Sequence, residues 1–152
     1  MSYLIVFLGA AIGGVLRHGV HVLMPHFIDT TWFPFDILTI NVSGSFVMGL
    51  VAEYFVVRGL RRGLSQHLRL FLTTGILGGY TTFSAFSLDV VRLWQDGQVA
   101  ASVVYVVASV AGSIGALKYS TKSVYGWALW SPSAGRVPTI RGDDAGDGRS
   151  KK

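Results

Sequence analysis

Residues 78–86 read GGYTTFSAF and lie inside a long apolar run. Glycine and hydroxyl residues weaken a helix, and backbone groups freed at membrane depth must find partners in protein or in a wet cavity. Broken membrane helices turn such carbonyls toward cations and their half-helix N-termini toward anions. The backbone from residue 78 to 81 is therefore a candidate ion site; a kinked contact between small residues is the alternative. Phe83 and Phe86 follow at a spacing of three, which puts them on one helix face. Aromatic edges are slightly positive, so two such rings can line a path for a small anion, or they can simply pack. Asn41 sits in TINVSGSF. An amide is costly in hydrocarbon without a partner. It can donate to an anion or bond to a neighbouring helix. Tyr105, Ser109 and Ser113 recur at steps of four, so their hydroxyls form one stripe. That stripe can guide an ion, or can serve close helix contact together with Gly112 and Gly115.

These groups need elements to hold them. Four apolar segments are present, at about residues 3–23, 35–57, 68–93 and 99–117. Each is near the roughly 20 residues that cross about 30 Å of hydrocarbon. The expected fold is an all-α integral membrane protein of four transmembrane helices, the third broken near its middle. Residues 1–117 form the membrane domain in this reading. Residues 118–152 form a basic tail, rich in Gly, Pro and Ser toward its end, with the composition of a disordered segment.

Composition agrees. Charged residues are 14% of the 152, against about a quarter in soluble domains. The 19 glycines suit close approach of membrane helices. The chain has no cysteine, which excludes a disulfide framework, a thiol nucleophile and a cysteine metal site. The net charge of +5 is concentrated, with 7 of the 13 Lys and Arg in residues 118–152. That reads as orientation charge rather than a nucleic-acid footprint. The second loop and the tail carry most basic residues, so both termini are expected in the cytoplasm. Arg17, late in the first segment, can snorkel to the interface or draw anions to a vestibule. Glu53 and Asp89 receive no role. The four histidines form no convincing metal cluster, and no nucleophile–base–orienter set is visible, so an enzyme is the least expected class.

Taken together, GGVLRH, NVSGSF, TTGILGGYTTFSAFSLD, and Tyr105 with VAGSIGA resemble the fluoride ion channel family, the Fluc or CrcB proteins. The resemblance covers about residues 3–117, and GGYTTFSAF is its specific part. It implies a passive fluoride-selective channel in the cell (plasma) membrane. It also implies a dimer of two oppositely oriented subunits, with two pores along the interface. A central structural sodium ion (Na+) would be held by the backbone carbonyls of Gly78 and Thr81. By motif position, Phe83, Phe86, Asn41, Tyr105, Ser109 and Ser113 would line the fluoride pore, with hydroxyl contacts added by Thr82 and Ser84. Arg17 matches the arginine near the end of the family's first span. Partners would be fluoride, a second subunit and the bilayer, with no nucleic acid.

Two features depart from that family. The tail after Leu117 has no counterpart role. The biased loop charges favour one orientation, whereas a dual-topology homodimer needs near balance. This suggests a heterodimer with an oppositely biased homologue as an alternative to the homodimer. Two other classes compete. A small four-span multidrug/proton antiporter needs an embedded carboxylate, typically in the first span, and this first span has none. A non-transporting membrane scaffold would use the glycines and aromatics only for packing.

Overall fold

The computed structural model describes residues 2–30, 32–62 and 66–130. Among these residues all regular structure is helical. The order is α1 (Ser2–Leu23), a 3₁₀ turn (Met24–His26), α2 (Phe35–Arg62), α3 (Gln66–Leu70), a π-helical stretch (Phe71–Leu77), α4 (Gly78–Tyr80), α5 (Phe83–Gln95) and α6 (Val99–Trp130).

Local chemistry sets the boundaries. Pro25 opens the 3₁₀ turn that ends α1, because its ring cannot continue an α-helical ladder. Pro34 stands just before α2, and its fixed φ suits a helix start. Asp36 lies in the first turn of α2, where the helix dipole favours a negative charge; its buried carboxylate pairs with His21 of α1. Thr82 caps α5 by accepting a hydrogen bond from the Ala85 amide on its side-chain oxygen, at 3.2 Å. Gly97, at φ +76°, supplies the left-handed residue just past the end of α5.

Three stretches are long and apolar enough to cross a membrane: Ser2–His26, Phe35–Val56 and Val99–Val124. The chain is a multi-pass helical membrane protein. The remaining apolar segment is made of pieces. Its longest, α5, has 13 residues and rises only about 20 Å.

Helix α6 differs from the sequence expectation, since it continues past Leu117 to Trp130. Residues 118–130, read from sequence as the start of a tail, are helical. Polar residues such as Lys118 and Lys122 end a hydrocarbon span without ending a helix, because α-helical hydrogen bonds persist in water and no proline follows until Pro132. Residues 131–152 of the expected tail lie outside the described residues.

Packing gives the directions. At α1 a glycine seam meets the interrupted segment. A Cβ on Gly9 would lie 2.8 Å from Gly75 Cα, one on Gly13 2.7 Å from the Tyr80 nitrogen, and one on Gly79 2.8 Å from Ala10 Cα. The two backbones therefore touch and run the same way. Helices α2 and α6 also run parallel, with Gly49 against the Leu117 carbonyl and Ser120, and Val42 against Gly112. An aromatic cluster closes one end, where Tyr105 meets Phe33 edge-on (5.5 Å, 90°) and Phe86 at 5.3 Å.

The distribution of polarity is inside-out. Thr82, Ser102, Ser109, Ser120, Asp36 and Glu53 are buried, while Tyr3, Phe7, Val15, Val107 and Ile114 are mostly exposed. An apolar exterior of this extent is unsuited to water and suited to lipid.

Candidate functional site

The site begins where the helix stops. Thr81 (φ −77°, ψ 155°) and Thr82 (φ −149°, ψ 122°) are extended between α4 and α5. A helix would send the Thr82 amide to the Gly78 carbonyl, and the Ala85 amide to the Thr81 carbonyl. Both donors are diverted. The Thr82 amide donates to Asn41 Oδ1 at 2.9 Å, and the Ala85 amide to Thr82 Oγ1 at 3.2 Å. Asn41 Nδ2 returns a hydrogen bond to the Thr82 carbonyl at 3.0 Å. One carboxamide thus satisfies both backbone groups of Thr82. The interhelical role of Asn41 is the one observed, and its amide carries a second N–H beyond that used here.

Neighbouring hydroxyls complete the junction. Thr81 donates to the Leu77 carbonyl from both its amide and its Oγ1, each at 3.0 Å. Thr82 Oγ1 and Ser84 Oγ lie 3.2 Å apart. Tyr80 and Ser43 share a hydroxyl contact of 3.1 Å. Gly44 lets α2 pass this junction, because a Cβ there would collide with the Thr81 methyl.

Beside the junction runs a groove of about 360 Å³. Its polar wall carries Asn41, Ser45, Thr81, Thr82, Ser109 and Ser113; Phe83 and Phe86 also line it. No charged residue lines it. Phe83 and Phe86 rings are 5.6 Å apart at 43°. Phe86 is buried, whereas Phe83 is 79% exposed. Ser109 Oγ is buried beside the Tyr105 hydroxyl and makes no hydrogen bond of ordinary geometry.

Not every sequence candidate reaches this groove. Tyr105 is fully buried behind it and donates to Asp89 Oδ2 at 3.4 Å. Gly78, Ser84 and Arg17 are absent from its lining. Arg17 is half-buried on α1, whose glycine face packs on the first half of the interrupted segment. Sequence reading missed Gly44 and the apolar wall of Met48, Val110, Ile114 and Leu117. Gly44 carried a signal, since it stands three residues after Asn41 and shares its helix face. The apolar wall carried none, because such residues look alike in any membrane span. Among the described residues there is no group of three or more His, Cys, Asp and Glu that could hold a metal ion.

The family described as CrcB-like protein, Camphor Resistance (CrcB), matches residues 4–121. The chain belongs to the CrcB family. A fluoride-specific ion channel FluC of Rhodopseudomonas palustris (strain BisB5) is 52% identical over 117 residues, covering 77% of this chain and 91% of that one. Its counterpart in Granulibacter bethesdensis is 56% identical over 117 residues, covering 77% and 89%. A more distant relative of the same name in Paracoccus denitrificans is 43% identical over 116 residues, covering 76% and 88%. The CrcB match includes the junction and every residue lining the groove, and it ends within α6.

Proposed function

We propose that this chain is a fluoride-selective passive channel of the cell membrane, and a transport protein rather than an enzyme. The observation that carries the proposal is the groove. Within a chain whose CrcB relatives are named fluoride-specific channels, it joins Asn41, Phe83, Phe86, Ser109 and Ser113 beside an interrupted helix. Fluoride is small and holds its water tightly, so a path must offer several close donors at once. Hydroxyl and amide hydrogens and ring edges are such donors, and none carries a full charge. A fixed cation would hold the anion too long for fast passage. Hydrogen fluoride enters in acid, ionises in a neutral cytoplasm and is trapped. A negative interior then drives fluoride out, with about 2.3 kcal/mol per 100 mV.

The proposal includes a second, oppositely oriented subunit, with pores along the interface. The 79% exposure of Phe83 beside the buried Phe86 supports it, because a pore-lining ring needs a facing wall. That subunit is a second copy or an oppositely biased homologue. The proposal also includes a structural sodium ion. The Gly78 and Thr81 carbonyls, whose helical donors are diverted, fit such a role. When bound, the ion would hold the helix junction in place. Two carbonyls are few for a cation, which again favours a paired subunit. Tyr105, Ser84 and Arg17 enter this proposal behind or beside the groove, with Arg17 drawing anions at one end.

The test is efflux from liposomes holding the purified protein, read with a fluoride electrode and repeated for chloride. Fast fluoride release without chloride release, abolished by Asn41→Asp, is expected once oppositely oriented subunits are present, supplied by this chain or by a co-purified homologue of reversed loop charge. Equal release of both ions, or release unaltered by Asn41→Asp, overturns the proposal.

A further inference from the structure

A second groove, of about 570 Å³, lies at the opposite end of the molecule from the aromatic cluster. Leu50, Val51, Tyr54 and Phe55 of α2, Leu68 and Leu72 of the segment after the second loop, and Ser123 and Val124 of α6 line it. Its size is that of a small-molecule site, and its walls are almost wholly apolar. The apolar run of α2 gives way to charge at Arg58 and that of α6 at Lys118 and Lys122. The groove therefore opens at the level where acyl chains meet headgroups.

The exposed charges around it are of one sign. Exposed Arg69 follows Leu68, exposed Lys122 precedes Ser123, and exposed Lys118 lies one turn before Lys122. Arg58, Arg61 and Arg62 follow in the sequence of α2. Glu53 is the single acidic residue at this end among the described residues, and it is buried outside the lining. At the far end stand Asp29, Asp36, Asp89 and Asp96.

We propose that this groove binds an anionic phospholipid, its acyl chain against Leu50, Leu68 and Leu72 and its headgroup phosphate at Arg69 and Lys122. An apolar slot under a cationic rim at the interface matches that chemistry. Two other occupants match it less well. Residues 131–152 carry five basic residues against three acidic ones and few large apolar groups. A second copy in the same orientation brings the same cations. The inference depends on membrane residence and not on fluoride conduction.

Native mass spectrometry of the full chain, released from mild detergent with dioleoyl phosphatidylglycerol or dioleoyl phosphatidylcholine, tests it by counting bound lipid rather than flux. Phosphatidylglycerol is expected to be retained in preference. Arg69→Gln and Lys122→Gln, both at exposed positions, should each weaken that preference by about fivefold. Leu72→Trp should fill the slot and displace both lipids. Val104→Trp, at an exposed site away from the groove, should leave retention unchanged. Equal retention of the two lipids overturns the proposal. So does retention indifferent to Leu72→Trp, as does a Leu72→Trp effect on oligomer mass alone. Greater lipid uptake on removing residues 131–152 would assign the groove to the tail instead.

Discussion

Ser109 and Asn41 separate two demands on one groove. Ser109 Oγ lies buried beside the Tyr105 hydroxyl without a hydrogen bond of ordinary geometry, so it adds little to the fold. Ser109→Ala should shift stability by less than about 1 kcal/mol, while removing a donor to a charged ion worth ~1.5–3 kcal/mol. Fluoride efflux should then fall about tenfold or more, with the unfolding midpoint in mixed micelles nearly unchanged. A parallel loss of both would make the hydroxyl structural. Asn41 behaves oppositely, because it satisfies the Thr82 amide and carbonyl together. Asn41→Leu leaves two buried backbone groups unpaired, at ~1–3 kcal/mol each. Denaturant titration in mixed micelles should show a loss of roughly 2–5 kcal/mol, well beyond the effect of Ser109→Ala. Sequence alone showed that Asn41 needs a partner; it left open which. Residues 41 and 82 meet only through tertiary packing, and no local pattern encodes that register.

At the scale of elements, glycine carried two meanings and sequence could not separate them. GILGG in the third segment reads as weakened helix. In the structure, Gly75 and Gly79 form a seam with Gly9, Ala10 and Gly13 of α1, while the extended residues are the two threonines that follow. The seam predicts a sharp contrast within one helix. A methyl at Gly13 would collide with the Ile76 carbonyl, whereas nothing lies within 4 Å of one at Gly14. Gly13→Ala should therefore destabilise by about 1–3 kcal/mol. Gly14→Ala should be neutral, or stabilise by up to ~1 kcal/mol through helix propensity. Thermal unfolding of the two variants in the same detergent checks this; similar losses would show that the seam does not decide α1 docking. The starts of α2 and α6 were legible because Pro34 and the turn at Gly97 punctuate the chain. The end of α6 was not, since polarity marks where lipid stops and backbone bonding decides where a helix stops.

For the whole molecule, parallel packing of α1 with the interrupted segment, and of α2 with α6, brings the N-terminus, the second loop and the end of α6 to one side. Arg58, Arg61, Arg62, Arg69, Lys118 and Lys122 belong to that side, while Arg92 lies at the other and Arg17 leans toward it. Lys and Arg near span ends orient membrane proteins, at about 1 kcal/mol per residue beside an anionic leaflet. An excess of several such residues leaves the minor orientation at on the order of 1% or less. A pair of oppositely oriented copies would then be rare when the chain is expressed alone. The expected result is a single orientation, with both termini cytoplasmic, when a reporter is fused to each terminus in turn. Fluoride efflux from cells making only this chain should be weak, and should rise on co-expression of a homologue with reversed loop charge. Neutralising Arg61, Arg62 and Arg69 together should restore both orientations and raise efflux without the homologue. Comparable amounts of the two orientations in the unaltered chain would remove the need for a different partner and leave a homodimer.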